Sequence, residues 1–367
     1  MSVVTANKDG LQPGHQQWRS GIDVYRVGRL SVKRSPIRRG LDQFALAARA
    51  VTVSSQFTRP DVIYAYSPPL TLGLSCIALS GRFRCPYVFN AQDLYPQALV
   101  DLGVLKNPAL IWLFRFIERQ SYLHASRVVV HSPGNARLLL SRGIQNVDVV
   151  ENWVDVQEIH PGRDGRWYAE EWGLTGKFVV LFAGVIGYAQ GLEVVLEAAR
   201  IVASETDDVL FLIVGDGSRS NHIKAMAREM QLTNVLFRPL QPPEKYPDLL
   251  AAANVGLVTL HPSVRTPVVP SKVASIMAAG KPVIAAVPDQ SDTRDLVEAA
   301  KCGLVVSAGD PQSLAKAVLT LYQQPSLASK MGAAGRRYAE EHLAKSVVLD
   351  HLVRLLEETA RGVRGTQ

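Results

Sequence analysis

Four short segments of this chain carry residues whose type and spacing suit chemistry on an anionic ligand. In FAGVIGYAQGLEVV, an apolar run ends at Ala183, and Gly184, Gly187 and Gly191 bracket a turn into a helical pattern. Glycines let the backbone approach a ligand closely, and the helix start offers free N–H groups to phosphate. Gln190, in the same turn, could donate to an oxyanion. A turn that merely joins a strand to a helix would use the same glycines. In FLIVGDGSRSNHI, Gly215, Asp216 and Gly217 close a strand and open a helix that Ser218 could cap. Asp216 either satisfies backbone donors in its own turn or meets a nucleotide hydroxyl. In VVPSKVASIMAAGKPVIAAV, Ser271 is placed as an N-cap and Lys272 falls in the first helical turn. A cation there opposes the helix dipole, so the misfit argues for a bound anion such as pyrophosphate. The plainer alternative is a lysine lying along the surface. Gly280 ends that helix and Pro282 cannot continue it. In VFNAQDLYP, Asp93 ends a strand, where reactive carboxylates tend to sit, or else caps the turn at Leu94 and Tyr95.

The elements that must position these residues are legible as apolar runs. In the first half they are 61–67, 86–91, 127–132 and 147–152. In the second half they are 177–185, 208–217, 234–240, 255–260, 281–287 and 302–309. The runs are continuous in Val, Ile, Leu and Phe rather than alternating, which means parallel strands buried on both faces. Helical patterns lie between them: LEVVLEAARIVASE, SNHIKAMAREMQ, SLAKAVLTLYQQ and the closing KSVVLDHLVRLLEETARG. Pro161, Gly162, Gly165, Gly173 and Gly176 punctuate the join between the halves. The expected organisation is α/β, with one doubly wound domain over 1–157 and a second over 158–344. A closing helix, 345–367, is expected to pack back on the first. Ligands of such sheets bind beyond the carboxyl ends of the strands, and two facing sheets would leave a cleft between the domains.

Composition bounds the function. The chain has 367 residues, enough for two domains, with 47% hydrophobic and 20% charged residues, an ordinary globular balance. Three cysteines, none in a CxxC pair, suit a reducing cytoplasmic setting rather than a disulfide framework. The histidines show no metal-ligand spacing. The net charge is +7 and the pI about 9.3, with Arg29, Lys33, Arg34, Arg38 and Arg39 clustered near the start. That cluster suits nucleic acid, acidic headgroups, a pyrophosphate-bearing substrate or simply a solvated loop. It lacks the interleaved aromatics of single-strand binders, so no nucleic-acid partner is expected. The polar start after Met1 carries no secretory signal. No apolar run reaches the ~20 residues that span a bilayer. Residues 108–122, PALIWLFRFIERQSY, read as a core helix or as one lying on a membrane surface.

Taken together the segments resemble the family-4 glycosyltransferases of GT-B fold, in which two Rossmann-like domains face each other across a cleft. The nearer likeness is to bacterial exopolysaccharide and O-antigen enzymes of the colanic-acid type. It is carried by FNAQDLYPQALVDLG, RVVVHSPGNARLLLSRG, VVENWVD, FAGVIGYAQGLE, LIVGDG, PSKVASIMAAGKPVIA and CGLVVSAGDP, in the family's order from about residue 60 to 310. The resemblance implies a retaining transfer from a UDP- or GDP-sugar, with no cofactor or metal required. The second domain would hold the donor, with Gly184 and Gly187 near the diphosphate, Lys272 as its cation and the backbone at Arg238–Leu240 facing the base. Gln190, Gly215, Asp216, Gly217, Ser271 and Ser275 complete the implied donor set. The first domain would take a saccharide or polyprenyl-diphosphate-linked acceptor, with Asp93, the implied catalytic residue, near the transferred sugar. Peripheral contact with the inner face of the plasma membrane would follow, and the basic cluster and the 108–122 stretch suit it. Negative charge builds on the departing diphosphate, so placed cations and helix starts are the expected catalytic devices. No protein nucleophile is implied.

The sequence departs from the family's pattern in places. Relatives often carry two glutamates with seven residues between them in the donor domain; here those positions are Pro267 and Ser275. The ribose contact is therefore expected to be weaker or made by another group. Gln92 stands where many relatives have histidine. The sequence opens on SVVTANKDG, which matches the family's second strand, so the first βα unit is expected to be missing and a strand edge exposed. Two other readings stay open: a catalytically idle nucleotide-binding subunit, which would bind without turnover, and a sugar-nucleotide epimerase, which would form product without acceptor.

Overall fold

The computed structural model describes residues 1–7, 14–19, 21–29 and 36–364. Its strands are β1 (Ser2–Asn7), β2 (Gly14–Arg19), β3 (Ile22–Arg29), β4 (Ile63–Ser67), β5 (Tyr87–Ala91), β6 (Arg127–Val130) and β7 (Val147–Val149). They continue as β8 (Phe178–Ala183), β9 (Val209–Val214), β10 (Val235–Arg238), β11 (Val255–Thr259), β12 (Val283–Val287) and β13 (Gly303–Ser307). The helices of the first half are α1 (Pro36–Val53), α2 (Leu72–Phe83), α3 (Gln97–Asp101), α4 (Pro108–Leu123) and α5 (Pro133–Ser141). Those of the second half are α6 (Arg166–Glu171), α7 (Glu193–Ala203), α8 (Ser220–Glu229), α9 (Tyr246–Ala251), α10 (Lys272–Ala278) and α11 (Asp292–Ala299). They are followed by α12 (Pro311–Gln323), α13 (Pro325–Tyr338) and α14 (Lys345–Arg364). Every apolar run named above contains a strand. The chain divides into two compact units. One comprises Met1–His131, Ala136–Val150 and Leu352–Gln367, the other Ser132–Asn135 and Glu151–His351.

The second unit is built on a six-stranded parallel sheet of order β10-β9-β8-β11-β12-β13. Each of its faces carries its own apolar core, one including Leu181, Val258 and Met277, the other Phe182, Phe211 and Leu196. That two-sided burial is why its strands read as unbroken apolar runs. Helix α7 shows the complementary pattern: Val194, Val195, Ala198, Ala199 and Val202 form its buried stripe. The order reverses between β8 and β11, and ligands of open α/β sheets bind at such a switch point.

One arginine, undistinguished in the sequence, ties this unit together. Arg336 of α13 is largely buried and donates to the carbonyls of Ile159 at 2.8 Å, Ala278 at 2.7 Å and Val156 at 3.1 Å. It joins the entry segment of the unit to the end of α10. Arg336→Met leaves three carbonyls without this donor, and a fall of roughly 5–10 °C in thermal midpoint is expected. Differential scanning calorimetry checks it; an unchanged midpoint would show that solvent replaces all three bonds.

The first unit contains a four-stranded parallel sheet, β4-β5-β6-β7, and a three-stranded sheet, β1-β3-β2, in which β1 runs parallel and β2 antiparallel to β3. Among the described residues, β1 and β4 are edge strands of their sheets. Of the basic cluster at 29–39, only Arg38 has its side chain described, and it is exposed; the side chains of Arg29, Lys33, Arg34 and Arg39 lie outside the described residues.

Helix α4 satisfies neither sequence reading wholly. Asn107 caps it, accepting from the amides of Ala109 and Leu110. Ile117, Glu118, Ser121 and Tyr122 are buried, whereas Trp112, Phe116 and Leu123 stand in solvent. Burial lifts the Glu118 carboxyl to about 7, against the pull of the Arg142 guanidinium 3.5 Å away. Between its ordinary range near 4.5 and about 7, the folded chain keeps a proton that the unfolded chain releases. Glu118 therefore makes stability fall as pH rises through that window, by at most ~1.4 kcal/mol per pH unit. Thermal midpoints of the chain and of Glu118→Gln, compared from pH 5 to 7, should converge at the acid end and separate toward neutrality. Parallel curves would contradict the lifted carboxyl.

Candidate functional site

At the switch point two glycine turns lock into each other. The amide of Gly184 donates to the Val214 carbonyl at 2.9 Å and that of Ile186 to the Asp216 carbonyl at 2.9 Å. Gly215 donates to the Arg238 carbonyl at 3.1 Å. Gly184 has φ +145° and Gly215 φ +154°, and a Cβ at Gly215 would drive into the Gly184 carbonyl oxygen. Only glycine suits both positions. On the other side of the switch, His261 donates its amide to the Ala189 carbonyl at 2.8 Å, holding the β11 loop against the first turn.

Lys272 arrives at this place from α10. Its Nζ lies 3.7 Å from the centre of the Phe182 ring and 3.4 Å from where a Cβ on Gly184 would stand. The residue is half-buried along its stem, but Nζ itself is enclosed and makes no hydrogen bond. Burial pushes its pKa down to about 7. A buried ammonium without a partner is costly, and an anion at the glycine turn is the group that would relieve it. The sequence argues for an anion beside Lys272; the structure places the Phe182 ring beneath its amine.

The other second-unit residues divide between partners already made and groups left facing the turns. The Gln190 Oε1 accepts from the Gly187 amide at 3.1 Å, so its carbonyl end closes its own turn. Asp216 accepts from the Gly217 amide at 2.8 Å, the structural alternative named for it. The Arg238 guanidinium lies 5.5 Å from the Trp172 ring centre and donates to the Phe237 carbonyl at 3.3 Å. Burial pushes the Tyr246 hydroxyl up to about 12, and the Ser275 side chain beside it pulls the other way. Ser271 does occupy the N-cap position, yet its side chain makes no capping bond. Its φ of −55° and ψ of −24° are already helical, and a capping side chain needs the extended backbone that swings its oxygen under the first amides.

In the first unit, residues of β4 and β5 and the one that follows β6 form a second polar group. His131 lies 2.7 Å from the Val150 carbonyl through Nδ1 and 2.7 Å from the Asn90 side-chain amide through Nε2; Asn90 in turn bonds the Tyr64 hydroxyl. Burial pushes the His131 pKa down. Asn90 turns its Oδ1 to His131 Nε2 and donates through Nδ2 to the Tyr64 hydroxyl; a neutral ring that gives its Nδ1 proton to Val150 would need this amide turned over, so that its nitrogen donates to Nε2. Asp93 follows β5. Its residue reaches solvent, yet the protein around it displaces enough water to raise its pKa. Its charge in turn lifts the Tyr66 and Tyr95 hydroxyls, after burial as the larger cause.

Comparison with known proteins matches this arrangement to a family. The model for the Glycosyl transferase 4-like domain matches residues 1–153, and that for Glycosyl transferases group 1 matches 168–338. The chain is a group 1 glycosyltransferase. This glycosyltransferase is 27% identical over 331 residues to the probable glycosyltransferase WbjE of Pseudomonas aeruginosa, covering 87% of this chain and 80% of that one. It is 27% identical over 321 residues to the putative colanic acid biosynthesis glycosyl transferase WcaI of Escherichia coli K12, covering 85% and 78%. Among solved structures, Anabaena HepE in complex with UDP-glucose superposes with a TM-score of 0.73 at 18% identity, over 92% of this chain and 86% of that one. The fold is GT-B.

The glycosyltransferase thus gathers Gly184, Gly187, Gln190, Gly215, Asp216, Gly217 and Lys272 around one switch point, with the Arg238 backbone alongside. Sequence reasoning passed over Arg219, which follows the second glycine turn. Its guanidinium is 2.6 Å from Glu193 and lies over the Tyr188 ring at 4.7 Å. The signal was there: an acid opens the helix after the first turn and a base opens the helix after the second. Among the described residues, no helix is long and apolar enough to cross a membrane.

Proposed function

We propose that this enzyme moves a sugar, with retention, from a nucleotide-sugar donor to a saccharide acceptor carried on a polyprenyl diphosphate. The observation that carries the donor reading is the enclosed, unpartnered Lys272 Nζ facing the glycine turns at the switch point. A diphosphate would pair with the Lys272 charge, an interaction that strengthens as negative charge develops on the leaving group. Gln190, Asp216, Arg238, Ser271 and Ser275 complete the proposed donor set, and Asp93 is the proposed catalytic carboxylate near the transferred sugar. UDP is the first nucleotide to try, since the HepE structure holds UDP-glucose. The test is calorimetric titration with UDP and GDP, followed by radiolabelled transfer from UDP-sugars to a polyprenyl-diphosphate-linked saccharide. Binding and transfer with anomeric retention support the reading; failure to bind either nucleotide sinks it. Pro267 and Ser275, in place of the expected glutamates, favour a second reading as an idle binding subunit. That reading predicts nucleotide affinity with neither transfer nor donor hydrolysis.

A further inference from the structure

The first glycine turn is held unevenly along its length. Its start is bonded to the second turn through backbone, Gly184 to Val214 and Ile186 to Asp216. Beyond Ile186 those bonds end, and Tyr188 is 57% exposed, so apolar packing does little to fix the tip. Gln190 closes the tip on the Gly187 amide, and the His261 amide holds the Ala189 carbonyl from the β11 side. From the opposite side comes Arg219. Its own amide donates to the Ile186 carbonyl at 3.0 Å, which fixes its backbone at the base of the first turn. Its guanidinium then reaches the Glu193 carboxylate at 2.6 Å and lies 4.7 Å from the centre of the Tyr188 ring.

One side chain therefore joins the base of the second turn, the tip of the first and the helix that follows it. Glu193 is a firm anchor for it. The carboxylate sits in the first turn of α7, where the helix dipole favours a negative charge. The Arg219 and Glu193 side chains are only 22% and 34% exposed, so solvent screens this pair less than a surface ion pair. His222 also faces Glu193, at the longer distance of 3.8 Å. The Tyr188 ring offers its π face to the guanidinium, a further attraction that needs no hydrogen bond. Holding the turn matters for affinity. A turn that samples several arrangements binds its ligand only through the competent fraction, and apparent affinity falls in proportion to that fraction.

We propose that Arg219 is a positioning residue: anchored on Glu193 and lying across the Tyr188 ring, it holds the first glycine turn in the arrangement that receives the donor diphosphate. The proposal rests on the donor reading above and gives Arg219 no contact with the ligand. It is tested by calorimetric titration with UDP of the parent, Arg219→Met, Glu193→Gln and the double variant. Methionine keeps an apolar stem over Tyr188 without the charge. Each single change should weaken UDP binding about tenfold, and the double variant should bind no more weakly than either, since both changes break one brace. Hydrogen exchange at 187–191 should quicken in both free variants and return to the parent's rate at saturating UDP. Thermal midpoints identify a variant that has lost its fold, and if Arg219→Met does so, Glu193→Gln carries the test. Affinity lost in Arg219→Met but kept in Glu193→Gln, with exchange unchanged, would make Arg219 a direct ligand of the diphosphate and overturn the proposal. Additive losses overturn it too. A parent that binds UDP alongside variants that bind it equally well overturns the brace alone; a parent that binds no UDP overturns the donor reading with it.

Discussion

Replacing Lys272 with methionine should weaken UDP binding by roughly ten- to a hundredfold, the ~1–3 kcal/mol of a charge-assisted contact to diphosphate. Methionine keeps the packing over Phe182 and removes a buried polar atom that has no partner, so the variant should be at least as stable as the parent. Lost affinity without lost stability is the signature. A pH effect accompanies it. The enclosed amine titrates near 7, well below its ordinary range, because burial disfavours its charge. A bound diphosphate favours the charge and raises that pKa, so binding takes up a proton. Above about pH 7 the terminal phosphate of UDP is already ionised, and affinity should fall with rising pH by at most about tenfold per unit. Calorimetry at pH 8 in two buffers of different ionisation enthalpy counts the proton directly. Proton uptake in the parent and none in Lys272→Met confirms the pairing; equal affinities remove Lys272 from the site.

Asp93→Asn should lower kcat by about a hundredfold or more while leaving UDP affinity unchanged. The substitution keeps size and polarity but removes the charge and the capacity to take a proton. Because water is displaced around Asp93, its pKa is raised, and the parent should lose activity as pH falls through that raised value, where the carboxylate is protonated. The asparagine variant should lack that acid limb. Transfer rates from a UDP-sugar, measured across pH for both proteins, decide it. An asparagine variant that turns over like the parent, with the same pH profile, would confine Asp93 to closing the turn before Tyr95.

Much of this protein follows from local pattern. Continuous apolar runs such as 178–183 and 209–214 specify buried parallel strands, because a residue that must satisfy two cores has no polar face to show. Glycines after β8 and β9 mark where backbone meets backbone, and Lys272 stands out because it opposes its own helix dipole. Other features needed long-range contact. Lys272 lies far along the chain from Phe182 and Gly184, and only the β8–β11 reversal brings its Nζ onto that ring and beside that turn. Arg336 looks like any basic residue of an exposed helix until three carbonyls converge on it. Helix α4 has apolar residues nearly all round, so periodicity could not say that Ile117 and Tyr122 turn inward while Trp112 and Phe116 face solvent. Sequence by itself determined the class of element and the residues that punctuate it, since these depend on steric and solvation preferences within a few positions. The tertiary structure decided which of those residues meet, because burial, pairing and the pKa of an enclosed group depend on neighbours brought from distant parts of the chain.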